Sequence, residues 1–244
     1  MPIPVVDLGR MEYAAAYRVQ CEHHAAVLAE RESGATGRAG GRILLVEHDP
    51  PVITISRRPG ARAHLLATDQ MLALHGVRVA ETDRGGDITY HGPGQLVVYP
   101  IIDLNFFGLR LHDYMRLLEQ AVIETLAEFG VRGERDATAT GVWVPRVAEV
   151  AAPGAGAAKI CAMGVRIRRW VSLHGLALNV TTNLEHFGLI VPCGLVGRPV
   201  TSLRQELGES CPDMARVKVT LAGRLGDLID SRRGSLCTEF DRAL

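Results

Sequence analysis

The chain has 244 residues, 47% of them hydrophobic, with 27 basic and 27 acidic side chains. That is enough apolar material for a full core, which excludes a disordered chain, and a formal charge of zero speaks against a nucleic-acid binder. The start, MPIPVVDLGRMEYAAAYR, lacks the pattern of a secretory signal, and no apolar run reaches the roughly 18 residues of a membrane-spanning helix, so a cytoplasmic protein off the membrane is expected.

In chain order, Pro4 to Leu8 reads as a short strand and Glu12 to Glu30 as a long helix with an apolar stripe through Ala15, Val19 and Ala26. Ser33 to Gly41 is a glycine-rich loop. Ile43 to Glu47 and Val52 to Ile55 are strands joined by the tight Asp49-Pro50-Pro51, and Arg57 to Gly60 is a basic turn. Thr68 caps a helix that runs to His75 and stops at Gly76. Val77 to Ala80 then leads, as a strand, into the most distinctive stretch.

That stretch is Arg84 to Pro100, RGGDITYHGPGQLVVYP. Its glycines allow close approach of a ligand to the main chain, and Pro93 fixes one φ. The spacing predicts a stiff, side-chain-poor wall ending in the buried strand Leu96 to Tyr99, with His91 projecting over it. The same spacing also fits two ordinary turns around an edge strand. Beyond it, Leu111 to Phe129 is a helix whose Leu111, Tyr114, Leu118, Val122, Thr125 and Phe129 share a face, with Gly130 as its stop. Short strands follow at Val131 to Arg135 and Gly141 to Val144, then the low-complexity loop AAPGAGAA at 151 to 158. Ile160 to Arg168 and Val171 to Val180 are strands around a turn near Arg169. Ser202 with Gln205 resembles a capping box, and Val219 to Ile229 is the last helix. Strands dominate the middle and helices flank them. A single α/β domain over residues 1 to 244 is expected, with a mixed β-sheet flanked by helices.

Two residue types stand out for chemistry. Only Lys159 and Lys218 are lysines, so arginine serves almost wherever a cation is wanted. A lysine kept in such a chain suits a site where the amine must lose a proton, which arginine does not do. For Lys218, in RVKVT, chance retention is the simpler reading. Lys159 opens an apolar strand, with Cys161 two residues on and on the same face if the strand is regular. Cys193 lies between Pro192 and Gly194, a setting that fits a thiol at a loop apex, though on spacing alone an isolated cysteine is more often structural. The five cysteines are odd in number and form no CxxC, and the histidines have no metal-ligand spacing, so neither a disulfide framework nor a metal is expected. His174, like His91, precedes a glycine and an apolar run.

Taken together, RGGDITYHGPGQLVVYP, then KICAMGVRIRR with HGLALNV, then PCGL with TSL, resemble the lipoyl(octanoyl) transferases of lipoate biosynthesis, over most of the chain from Glu47 to Thr201. The resemblance implies a biotin/lipoate protein ligase-like catalytic domain. It implies a catalytic dyad of Lys159 and Cys193, 34 residues apart. It maps an acyl pocket onto Arg84, Gly85, Gly86, Asp87, Ile88, Thr89, Tyr90 and His91, onto Ala162, Met163 and Gly164, and onto Gly175, Leu176 and Ala177. The implied reaction passes an octanoyl group from octanoyl-acyl carrier protein, through a thioester on Cys193, to a lysine of a lipoyl domain. Acceptors of that kind belong to 2-oxoacid dehydrogenases and the glycine cleavage H protein. No cofactor, ATP or nucleic acid is implied. Two departures are Thr54-Ile55-Ser56-Arg57, where the family commonly reads TLGR, and a longer AAPGAGAA loop. The alternatives are an ATP-dependent lipoate or biotin ligase, and a non-catalytic binding module built on Arg166, Arg168, Arg169 and Trp170, a cluster that otherwise reads as a solvated strand face or as a docking surface for the acidic carrier.

Overall fold

Ten strands sort into two sheets. The computed structural model describes residues 2–34, 39–146 and 156–234. In chain order it holds β1 (Val5–Met11), α1 (Tyr13–Glu32), β2 (Gly41–His48), β3 (Val52–Ser56), α2 (Asp69–Leu74), β4 (Arg78–Thr82), β5 (Ile88–His91) and β6 (Gln95–Ile102). Then come α3 (Leu111–Glu128), β7 (Glu134–Arg135), β8 (Val142–Pro145), β9 (Ala157–Arg168), β10 (Val171–Asn179), α4 (Leu203–Leu207) and α5 (Met214–Asp230). The large sheet has the order β1-β2-β6-β10-β9-β8-β7 and the small one β4-β3-β5. Both are mixed, with β1/β2 and β3/β4 parallel and the other neighbours antiparallel.

The large sheet is covered on both faces, which is why β2, β6 and β10 read as nearly unbroken apolar runs. On one face Leu45, Val98, Leu176 and Leu178 pack under α3 and α5 through Leu118, Val122, Leu221 and Leu225. On the other, Leu44, Val46, Val97, Tyr99 and Ala177 pack under α1 through Ala16 and Val27. In the small sheet, Ile53, Ile55, Ile88 and Tyr90 pack against Leu72, Val77 and Phe187. Each such side chain, fully buried, contributes about 1.5–3 kcal/mol of transfer free energy.

The stretch from Arg84 to Pro100 joins the two sheets. Its first half, β5, is an edge strand of the small sheet, while its second half, β6, lies between β2 and β10. The turn between them is held by Gly94, whose carbonyl accepts from the backbone N–H of Val180 and Thr181 and from the Thr182 hydroxyl. With φ +80°, and with Thr181 2.7 Å from where a Cβ would stand, only glycine fits there.

Several expectations need correction. The buried stripe of α1 is Tyr13, Ala16, Gln20, His24 and Val27, one position round from Ala15, Val19 and Ala26. Two polar residues take core positions because they serve the backbone beneath: the Gln20 carbonyl oxygen accepts from His174 N–H, and His24 Nε2 lies 3.2 Å from the Arg168 carbonyl. Leu111 is exposed, so the α3 face begins at Tyr114. The last helix starts at Met214 rather than Val219, because the Asp213 side chain caps it by accepting from Arg216 N–H. In the loop 151–158, residues 151–155 lie outside the described ones and Ala157 is already in β9. Of the loop from Ser33 to Gly41, residues 35–38 lie outside them too. The arginine cluster lies at the surface, with Arg168 and Trp170 exposed, Arg166 paired with Asp83 and Arg169 with Glu32 at 2.6 Å. Lys218 likewise has a partner, Asp7, at 3.0 Å.

Two glycines give opposite expectations for stability. A Cβ at Gly41, where φ is +153°, would stand 2.3 Å from the Ile101 carbonyl oxygen. Gly41→Ala should therefore lose about 1–3 kcal/mol through overpacking and strain. Gly223, inside α5, has nothing within 4 Å of its would-be Cβ, and Gly223→Ala should gain about 0.5–1 kcal/mol. Urea denaturation midpoints of the two variants check the signs.

Candidate active site

Lys159 owes its position to a slip in the sheet. Along β8 and β9 the register passes from Val142 opposite Cys161 to Trp143 opposite Lys159, so one residue of β9 is left over. This bulge puts the consecutive residues Ile160 and Cys161 into the same core. Lys159 is thereby freed from the face that Cys161 occupies, contrary to the regular alternation expected above. The Cys161 thiol is buried, and burial pushes its pKa up to about 12. On its other edge Lys159 pairs with the segment after Cys193: its N–H donates to the Pro199 carbonyl and its carbonyl accepts from Thr201 N–H. The Lys159 side chain is 7% exposed. Its Nζ donates to the Thr140 carbonyl at 3.0 Å, lies 4.7 Å from the centre of the Trp143 ring and reaches 3.6 Å from Cys193 Sγ. Gly141 leaves room for it, since a Cβ there would stand 3.3 Å from Lys159 Cε and 2.5 Å from the Cys161 carbonyl oxygen.

Cys193 is half-buried at the apex of the turn Pro192–Gly194, with φ 56° and ψ 17°. A non-glycine residue in the left-handed region stores about 1–3 kcal/mol of strain and lasts only where its surroundings fix it. They do so here. Gly194 N–H donates to the Val191 carbonyl, Leu195 N–H to the Pro192 carbonyl, and Val191 N–H to the His64 carbonyl. The His64 ring fills the space beside Gly194, 2.9 Å from where a Cβ would be, and its Nδ1 lies 2.7 Å from Asp87 Oδ1. On the far side Arg198 pairs with Asp136 at 2.5 Å and lies 4.0 Å over the Trp143 ring.

From Cys193 a narrow cavity of about 40 Å³ runs along the α1 face of the large sheet. Of the residues expected there, Arg84, Gly86, Asp87, Thr89 and His91 line it, with Ala162, Met163, Gly164, Gly175, Leu176 and Ala177. Gly85 instead borders the outer vestibule beside Lys159 and Cys193. Ile88 and Tyr90 are turned away: residues alternate along β5, and these two face the core of the small sheet. Tyr13, Val97, Tyr99 and His174 also line the cavity and were not anticipated. His174 carried a signal in its likeness to His91, and Tyr99 lay inside the glycine-rich stretch. Tyr13, brought in by α1, had none.

Cations and imidazoles around the cavity are tied down. Arg84 donates from Nη1 to the Gly85 carbonyl and from Nη2 to Thr54 carbonyl and hydroxyl oxygens, at 3.0–3.1 Å. Burial pushes its pKa down from the ordinary value. His48 Nδ1–H donates to the Met11 carbonyl, leaving Nε2 to accept from Tyr99 Oη at 2.6 Å, and burial lowers its pKa to about 4. His91 is also held neutral by burial, and its Nδ1–H donates to Gln95 Oε1 at 2.7 Å. The chain of bonds continues from Gln95 Nε2 to Asn179 Oδ1 and from Asn179 Nδ2 to the Thr201 carbonyl. A buried relay thus links the cavity to the segment that pairs with Lys159. His174 lies 2.8 Å from Asp83, and burial together with Arg84 and Arg166 lowers its pKa to about 3. Among the described residues no group of three or more His, Cys, Asp or Glu side chains is arranged to hold a metal, and no helix is long and apolar enough to cross a membrane.

Comparison with known proteins places this architecture in context. The model of the family described as the lipoyl protein ligase A/B catalytic domain matches residues 16–225. The octanoyltransferase of Geobacter metallireducens is 43% identical over 226 residues, 93% of each chain. That of Chloroflexus aurantiacus is 46% identical over 223 residues, 91% of each chain. Among solved structures, the bipartite lipoate protein ligase of Thermoplasma acidophilum aligns with a TM-score of 0.65 at 16% identity, covering 98% of this chain and 91% of that one. A lipoate-protein ligase A bound with ATP aligns at 0.62 and 15%, covering 98% and 94%. At these identities the structural likeness is one of fold.

The neutral histidines make stability depend on pH. His48 has a folded pKa near 4, below the ordinary 6.5, so its contribution is fully present above pH 6.5 and is lost as pH falls towards 4. At pH 5 the unfolded chain gains about 2 kcal/mol from this one group. At about 2–4 °C per kcal/mol, Tm should fall by roughly 4–8 °C between pH 7.5 and pH 5 from His48 alone, with His91 adding in the same direction. Calorimetric scans across this range, compared with those of His48→Gln, measure it; equal slopes for the two proteins would contradict it.

Proposed function

The chain belongs to the lipoyl protein ligase A/B catalytic domain family, and on that premise we propose how it works as an octanoyltransferase of lipoate biosynthesis. The donor is octanoyl-acyl carrier protein and the acceptor a lysine of a lipoyl domain, in 2-oxoacid dehydrogenases or the glycine cleavage H protein. The observation that supports this reading is the 3.6 Å approach of Lys159 Nζ to Cys193 Sγ at the end of an apolar cavity. A thiolate is the attacking form of cysteine, and an adjacent ammonium favours it over the thiol.

In the first step Cys193 Sγ attacks the carbonyl carbon of the donor thioester. The new C–S bond forms, the old one breaks, and the carrier leaves as a thiol with the proton given up by the Lys159 ammonium. Exchange of one thioester for another is nearly balanced in energy, so no ATP enters. Acylation removes the negative partner of Lys159, which stands in a setting of Trp143, Thr140 and the cavity wall. The neutral amine then accepts a proton from the incoming lysine as its nitrogen attacks the thioester carbonyl. The C–S bond to Cys193 breaks, an amide is left on the acceptor, and the thiolate–ammonium pair is restored. Arginine can act as the counter-ion but not as the base.

An ATP-dependent ligase is the competing reading, since ligases share the fold. Adenylation needs neither Cys193 nor its pairing with Lys159. Full transfer after chelation and without ATP is expected, and an absolute ATP requirement would decide for the ligase.

Single-turnover kinetics separates the two roles of Lys159. Intact-protein mass should show an octanoyl adduct on wild type that alkylation of Cys193 prevents. Cys193→Ser should lose it, whereas Cys161→Ser should keep it. Lys159→Arg should still acylate but pass the group on about 10²–10⁴-fold more slowly, the usual worth of a general base. Lys159→Ala should already be slow at acylation. Near-normal transfer by Lys159→Arg would remove the base role.

A further inference from the structure

The floor of the cavity can be read from strand register. Ala162 of β9, Ala177 of β10 and Val97 of β6 form one rung across three strands. Two residues further along, Gly164 and Gly175 pair across β9 and β10, and β6 contributes Tyr99 beyond them. Successive same-face rungs are about 6.6 Å apart. Cys193 borders the first rung, because it shares with Ala162 and Ala177 both this cavity and a smaller one on the opposite side, lined by Gln95 and Asn179. The second rung has no side chain of its own until Tyr99 is reached, and the Arg84 side chain lies against it, 3.2 Å from where a Cβ on Gly164 would stand. Tyr13, at the start of α1, and His174, left-handed at φ 58° so that it borders the cavity together with its neighbour Gly175, complete that end. Neither tyrosine borders the smaller cavity or the outer vestibule. Side chains are therefore small beside the thiol and large one rung away.

The large ones are fixed. Tyr13 Oη donates to Thr82 Oγ1 at 2.8 Å, Tyr99 Oη donates to His48 Nε2 at 2.6 Å, and His174 Nε2 is held 2.8 Å from Asp83. Tyr13 and Tyr99 are 8% and 3% exposed, so neither ring has open solvent to swing into. An alkyl chain that starts at Cys193 and crosses the two-glycine floor meets two pinned phenol rings.

We propose that Tyr13 and Tyr99 form the end wall of the acyl cavity and set the length of the chain this enzyme accepts, with the Gly164–Gly175 rung as the passage to them. This rests on the acyl-transfer reading above. Both are specificity residues: they touch the far end of the chain and leave the reacting atoms to Cys193 and Lys159.

The test is acylation of the full-length protein by hexanoyl-, octanoyl-, decanoyl- and dodecanoyl-acyl carrier protein in direct competition, read as the mass of acyl-Cys193. A methylene too many in an apolar pocket changes selectivity about 10–200-fold. Tyr13→Ala should raise the decanoyl and dodecanoyl yields relative to octanoyl at least about tenfold, and Tyr99→Leu should move the ratio the same way. Ala177→Val narrows the rung beside the thiol and should shift the preference towards hexanoyl. If Tyr13→Ala does not fold, Tyr99→Leu and Ala177→Val still decide. Folded variants that keep the wild-type chain-length ratio would overturn the wall while leaving acyl transfer intact. Failure of the wild type to form an acyl-Cys193 from any of the four donors would overturn the transfer reading itself, and the wall with it.

Discussion

One slipped rung at the start of β9 governs where Lys159 stands in this protein. An ammonium group in a protein interior loses several kcal/mol of hydration that its new neighbours must replace. A regular β9 would set Lys159 on the same face as Cys161, inside the core under α3 and α5. The bulge sends it to the other side. There a carbonyl, an indole ring and a thiol wait for it, each a partner for a cation. The same slip leaves its second edge to the segment 199–201, which follows the Cys193 turn. One irregularity thus fixes both members of the pair.

The rest of the site is built mainly from backbone. Gly85 N–H donates to the Val165 carbonyl, and a Cβ on Gly164 would stand 2.7 Å from the Gly85 carbonyl oxygen. The seam between the two sheets is therefore closed by main chain against main chain, and the space left over is the cavity. Strain is concentrated there as well: Cys193 and His174, two of the four non-glycine residues with positive φ among those described, both border it. Arg84 and Asp87 apart, the larger polar side chains around it are imidazoles and phenols whose polar atoms are bonded into the surrounding structure.

Much of this was legible in the sequence, for reasons that can be named. β6 announced itself through an apolar run, and the Gly94 turn through glycines around Pro93. Lys159 stood out because arginine had replaced lysine nearly everywhere else. The resemblance carried by three ordered motifs supplied the pairing of Lys159 with Cys193, which no spacing argument reaches across 34 residues. What stayed hidden was whatever depends on one-residue shifts or distant partners. The α1 stripe was misjudged by one position because Gln20 and His24, polar residues, fill core positions to satisfy backbone groups of β10 and β9. The bulge was invisible because Ile160 and Cys161 are both apolar and fit either face. Ile88 and Tyr90 came along with their motif, although alternation alone assigns them to the opposite side of β5. Tyr13 belongs to the site only through the docking of α1.

The place of β6 in the sheet has a consequence for the chain as it is being made. Its neighbours are β2, synthesised before it, and β10, which follows only after α3 and β7 to β9. Ribosomes add about 5–20 residues per second, so the fully buried strand Gln95–Ile102 waits several seconds with one edge open and its apolar side chains uncovered. An unpaired apolar edge is a template for the wrong partner. The nascent polypeptide is thus at its most adhesive halfway through translation, and holding that one strand apart from its neighbours on other ribosomes is the task this topology hands to the chaperones that meet it.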